Sequence, residues 1–130
     1  KMKVDDITYK VRAAVFEVNH EMGSGFLEKV YENSMMVELR RQGLKAKAQV
    51  PLEVRYKGEV VGEYQADILV EDQVLVELKA VERLQSVHEA QILNYLKATG
   101  IRVGLLVNFR YPKAEIKRYV FDPKENPADF

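Results

Sequence analysis

The chain has 130 residues, 47% of them hydrophobic and 31% charged, an ordinary globular composition with enough apolar material to bury a core without staples. Lys plus Arg equals Asp plus Glu at 20 each, so the formal net charge is zero; this argues against coating nucleic acid by bulk charge and leaves room only for a locally basic groove. Cysteine is absent, which removes disulfides and thiolate metal sites. No apolar run reaches membrane-spanning length and no basic-then-apolar leader is seen, so a single cytoplasmic domain over 1–130 is expected, with no membrane partner.

Over residues 5–22, Ile7, Val11, Ala14, Val15, Val18 and Met22 recur at intervals of three and four, which predicts an amphipathic helix capped by Asp5 or Asp6. Gly23-Ser24-Gly25 breaks it. A second helical pattern follows through Phe26, Leu27, Val30, Tyr31, Met35 and Leu39 and ends near Gly43, with Glu28 and Glu32 four apart on one face. Residues 48–56 alternate as a strand, Lys57-Gly58-Glu59 turns the chain, and residues 60–70 return as a second strand with a bend expected at Gly62. After a connector, Ser86-Val87-His88-Glu89 has capping-box spacing and opens a helix, on which Gln91 and Tyr95 share a face, that stops at Thr99-Gly100. The apolar run 101–109 arrives after that helix and is expected to be parallel to a neighbour; 115–121 alternates as a last strand, and 122–130 reads as a loose tail.

The most informative stretch is 66–80, two β-rich runs around Glu71-Asp72-Gln73. A three-residue loop there pairs Val70 with Val74 and sets Asp67 opposite Glu77. Alternation then puts Asp67, Leu69, Leu75, Glu77 and Lys79 on one face, and Ala66, Ile68, Val70, Val74, Val76, Leu78 and Ala80 on an apolar opposite face. For an isolated Glu-x-Lys the plain reading is a solvated ion pair of little energetic weight. Here the strands are apolar enough to be covered, and two carboxylates a cross-strand distance apart repel unless a cation such as Mg²⁺ joins them.

The order helix, helix, three-strand meander, helix, strand, strand, with Asp67 followed by Glu77-x-Lys79, resembles the PD-(D/E)xK nuclease superfamily. Gly25-Phe26-Leu27-Glu28-Lys29-Val30-Tyr31 resembles the signature of its GxxExxY family. The resemblance spans about residues 7–120 and includes Tyr56-Lys57-Gly58, His88-Glu89-Ala90-Gln91 and Asn94-Tyr95-Leu96-Lys97-Ala98-Thr99-Gly100. It implies an α/β, restriction-endonuclease-like core: a mixed sheet with an antiparallel meander, flanked by helices. It further implies Asp67, Glu77, the Leu78 carbonyl and Glu28 as ligands of Mg²⁺ or Mn²⁺, with Glu32 the substitute for Glu28. Lys79 would position the attacking water. Gln91 and Tyr95 match the Gln-x-x-x-Tyr pattern of RecB-type members, which supports the site and the bound strand. The Pro usually written before the first Asp is absent, since Gln65-Ala66 precedes Asp67.

His88 and Lys97 are candidate phosphate contacts beside Tyr95, against plain readings as a helix-start residue and a solvated cation. Tyr31 and Tyr95 also read as core residues. The two histidines, His20 and His88, lie too far apart in sequence to suggest zinc. The function classes are then a Mg²⁺-dependent nuclease on DNA or RNA, a catalytically silent nuclease-fold module that binds nucleic acid or a partner protein, and a structural protein with a relic acid cluster. A homodimer is compatible with each.

Overall fold

The computed structural model describes residues 1–123, so all but the first two residues of the expected tail lie outside the described residues. Three helices, α1 (Val4–Met22), α2 (Glu28–Arg41) and α3 (Ser86–Thr99), accompany five strands, β1 (Ala46–Tyr56), β2 (Glu59–Val70), β3 (Val74–Lys79), β4 (Val103–Asn108) and β5 (Glu115–Val120). The strands form one mixed sheet in sequence order. β1, β2 and β3 are an antiparallel meander, β3 and β4 are parallel, and β4 and β5 are antiparallel.

The parallel pair sits at the centre because α3 is the crossover between its strands, and helices on both faces explain why β3 and β4 are apolar almost throughout. On one side Ile7, Val11, Val15, Tyr31, Met35 and Leu39 of α1 and α2 pack on Ile68, Val70, Val76, Leu78, Leu105 and Val107. On the other, Ile92, Tyr95 and Leu96 of α3 pack on Leu52, Ala66, Leu75, Leu106 and Phe121. Gly104 lets α3 ride close on β4, since a Cβ there would lie 2.9 Å from the Ile92 side chain.

The three-residue loop and the Val70–Val74 pairing stand as the sequence indicates, and the β1–β2 ladder slips at Val54/Arg55, opposite the expected bend at Gly62. One face assignment is corrected. Ala66 packs toward α3, whereas Ile68, two residues on, packs toward α1 and α2. The cause is Gln49, held at φ 53° inside β1, where the register passes from Ala48–Ile68 to Val50–Ala66 with no pair between. That left-handed step reverses which face the hairpin buries, so its outer half curls over α3.

Some helix ends shift. α1 is capped at Lys3, leaving Asp5 and Asp6 in its first turn, where they complement the helix dipole. α2 begins at Glu28, with Phe26 and Leu27 exposed outside it. The capping box of α3 is Gln85 with His88, whose Nδ1 accepts the Gln85 N–H at 3.0 Å, one residue earlier than expected.

The entry to α2 is fixed by Tyr31. Its ring stacks on Phe109 with centroids 4.3 Å apart, and its hydroxyl donates to the Gly23 carbonyl at 2.6 Å and accepts the Phe26 N–H at 3.3 Å. Gly25, at φ 103°, makes the intervening loop possible. Gly25, Glu28 and Tyr31 thus form one device: a left-handed turn, a carboxylate in the first helical turn and the anchor beneath it. Tyr31→Phe, which orphans both loop groups and leaves the stack, should cost about 1–3 kcal/mol in urea unfolding. A change within error would show that the ring alone holds the loop.

Candidate active site

β2 and β3 stop pairing after Ile68–Val76, and the backbone donors beyond that point would be orphaned in a covered sheet. Two side chains take them up: an Asp67 oxygen accepts the Leu78 N–H at 2.7 Å, and a Glu77 oxygen accepts the Asp67 N–H at 3.2 Å. The carboxyl groups of Asp67 and Glu77 are also hydrogen-bonded to each other. The acid pair therefore stands where the two strands splay.

Glu77 is 4% exposed. Burial, then the charge of Asp67, pushes its carboxyl up to about 9, so at neutral pH it is the protonated partner that donates to Asp67. Burial also raises Asp67, against the Leu78 N–H that holds its charged form. Lys79 makes no direct ion pair among the described residues, yet its charge lowers Glu28, Asp67 and Glu77 alike. The simple Glu77–Lys79 salt bridge is thus not formed. The Lys79 backbone is fixed by its carbonyl, which accepts the Phe109 N–H at 2.9 Å, and by Asn108, whose amide bonds both the N–H and the carbonyl of Val81.

α2 supplies two more carboxylates. Glu28 and Glu32 line one small cavity of about 210 Å³ with Lys29, Gln49, Asp67 and Leu78. Glu32 is the deeper, 4% exposed, bonded to Lys29 Nζ at 2.6 Å and to the Gln49 amide. Glu28 stands at the mouth, its carboxyl raised first by burial, with Lys79 opposing. On the other side of the pair, Tyr95 is pushed up to about 12 by burial and then by Glu77, and Gln91 donates to its hydroxyl at 2.9 Å.

Asp67, Glu77, Lys79, Glu28, Gln91 and Tyr95 are therefore gathered around the splayed ends of β2 and β3. His88 serves the α3 capping box through its Nδ1. Lys97 is not brought in: it is exposed and lines a separate depression with Pro51, Leu52, Glu53 and Arg55, because it lies beyond Tyr95 toward the far end of α3. Three contributors escaped the sequence reading. Asn108 carried a signal, a polar residue inside the apolar run 101–109; Gln49 and Lys29 carried none, because the left-handed step and the tie to Glu32 depend on tertiary contact.

The donors suit a hard ion. No three His, Cys, Asp or Glu side chains among the described residues are grouped to hold a metal by themselves, but Mg²⁺ needs only one or two carboxylates, with water and phosphate completing its shell. Burial first, and then the neighbouring Asp67, disfavour a charge on Glu77, and a divalent ion between the two carboxyls would offset the second of these.

A profile of the PD-(D/E)XK nuclease superfamily matches residues 5–119, and the chain belongs to that superfamily. No curated protein matches the sequence. Among solved structures, the fold resembles the crystal structure of SSO0001, with a TM-score of 0.59 and 17% identity over 93% of this chain; the chain spans 64% of that protein's length. An alkaline exonuclease from Laribacter hongkongensis is also similar, with a TM-score of 0.47 and 12% identity, covering 96% of this chain and 74% of that one.

Because Glu77 binds its proton more tightly in the folded chain than in the unfolded one, where it keeps its ordinary value of 4.5, stability without metal is fullest below pH 4.5. It should fall as pH rises toward about 9, because over that range the unfolded chain releases the proton that the folded chain keeps. Urea titrations in EDTA at several pH values should show the fall in wild type and a flatter profile in Glu77→Gln. Parallel profiles would mean that Glu77 is ionised at no cost.

Proposed function

We propose that the chain is a Mg²⁺- or Mn²⁺-dependent nuclease that hydrolyses phosphodiester bonds of DNA or RNA. The observation that carries this reading is the acid pair Asp67/Glu77 at the splayed strand ends, with Lys79 beside it in no ion pair, in a chain of the PD-(D/E)XK nuclease superfamily. Asp67 and Glu77, with the Leu78 carbonyl and Glu28, would hold the ion, which when bound supplies charge neutralisation at the phosphate. Lys79, uncommitted to any one carboxylate, presents a point charge that holds the attacking water. Gln91 orients the Tyr95 hydroxyl, and that pair supports the site from the α3 side. The Gly25 to Tyr31 signature supports the finer assignment to the GxxExxY group, and a cytoplasmic site of action belongs to the same proposal. No helix among the described residues is long and apolar enough to cross a membrane.

A catalytically silent module that binds nucleic acid or a partner protein is the second reading, favoured by the zero net charge. Labelled single- and double-stranded DNA and RNA, incubated with Mg²⁺ or Mn²⁺, separate the two. Wild type should cleave at least one of the four, and Lys79→Ala should lose a hundredfold or more of that rate, the order expected for a group that handles the water proton. Absence of cleavage by wild type supports the silent module, and equal rates in both proteins remove Lys79 from the chemistry.

A further inference from the structure

Beside the acid pair, on the α3 side, lies a second cavity of about 420 Å³, lined by Val54, Tyr64, Val87, Gln91, Asn94 and Tyr95. The curl of the β1–β2 hairpin over α3 builds it, and it falls in the volume range of small-ligand sites, roughly 300–1,000 Å³. Tyr64 forms one wall. Its ring is tilted against that of Tyr95, with centroids 5.5 Å apart, and remains 49% exposed, so one face is open to a stacking partner. Val54 and Val87 supply apolar contact. The Asn94 amide, without a hydrogen bond among the described residues, and the Gln91 carbonyl oxygen offer a donor and acceptors.

These are the parts that hold a planar heteroaromatic ring with a polar edge. Tyr95 joins the slot to the acid pair: its ring lines the slot, and Glu77 and Asp67 are near enough to its hydroxyl to raise it further after burial. A chain with 20 basic and 20 acidic residues has no bulk surplus of charge with which to grip phosphates, which gives stacking a larger share in holding a strand. In a duplex a base has both faces stacked and its pairing edge occupied; only an unstacked base presents a face to Tyr64 and an edge to the amides together.

We propose that this slot seats one unpaired nucleobase of the strand whose phosphate lies at Asp67 and Glu77, so that the preferred substrate is single-stranded or locally splayed nucleic acid. The inference rests on the nuclease reading, because that reading places the strand.

The test uses oligonucleotides carrying 2-aminopurine, single-stranded and in blunt duplex, with binding followed by anisotropy in Ca²⁺ and cleavage followed separately in Mn²⁺. Wild type should bind the single strand at least tenfold more tightly than the duplex and quench the probe. Tyr64→Ala should lose on the order of tenfold in affinity and most of the quenching. Tyr64→Phe should retain both, and Asn94→Ala should weaken binding while its melting temperature stays at the wild-type value. Quenching that depends on Tyr64 in a protein that does not cleave would uphold the slot and remove the nuclease. Cleavage that is indifferent to Tyr64→Ala and to strandedness would remove the slot and leave the nuclease. Wild type that neither binds nor quenches any oligonucleotide overturns the slot as well.

Discussion

The structure turns on two carboxyl groups placed where two β-strands part. Asp67 and Glu77 satisfy the backbone donors that the end of the β2–β3 ladder strands, and in doing so they are held together where burial and mutual repulsion make it costly to ionise both. A protein selected only for stability would fill that position with apolar side chains, which is often neutral or favourable when buried charges are replaced. Retaining the pair makes sense when something positive is to arrive. The cation that acts on the pair, Lys79, is shared among three carboxylates and paired with none among the described residues.

The rest of the chain holds that pair in a small open site. Phe109 stacks on Tyr31 and donates its N–H to the Lys79 carbonyl, so one residue connects the α2 anchor to the end of β3. Asn108 clamps Val81 and keeps the chain leaving β3 from fraying. Lys29 and Gln49 both bond Glu32, which leaves Glu28 as the α2 carboxylate at the mouth. These ties restrict rotamers around the site, as catalysis by positioning requires.

Much of this was legible in the residues because it depended on local rules. The period of α1, the Glu71-Asp72-Gln73 loop and the apolar run after α3 fix their elements through side-chain alternation and turn chemistry, and the register through that loop brings Asp67 to Glu77. The reading failed where a distant contact overrode a local pattern. Strict alternation put Ala66 with Ile68, and the left-handed Gln49 across the hairpin separated them. Ser86 looked like the first residue of a capping box, but His88 reaches Gln85 instead. Lys97 follows Tyr95 by two residues, and on a helix that spacing points it away from the partner of Tyr95. The slot beside Tyr64 had no signature, because it exists only once the hairpin has curled onto α3.

The central claim is that Asp67 and Glu77 form a site for a divalent ion and not a structural ion-pair network. Thermal melts at pH 8 in EDTA and in millimolar Mg²⁺ or Mn²⁺, for wild type and for Asp67→Asn combined with Glu77→Gln, address it directly. Metal should raise the wild-type melting temperature by mass action, and the double variant should lose that shift while melting in EDTA at or above wild type, because Asn and Gln still accept the Leu78 and Asp67 N–H groups without the cost of a buried ionisable pair. A wild type that does not respond to metal, with a double variant that melts well below it, would contradict the account.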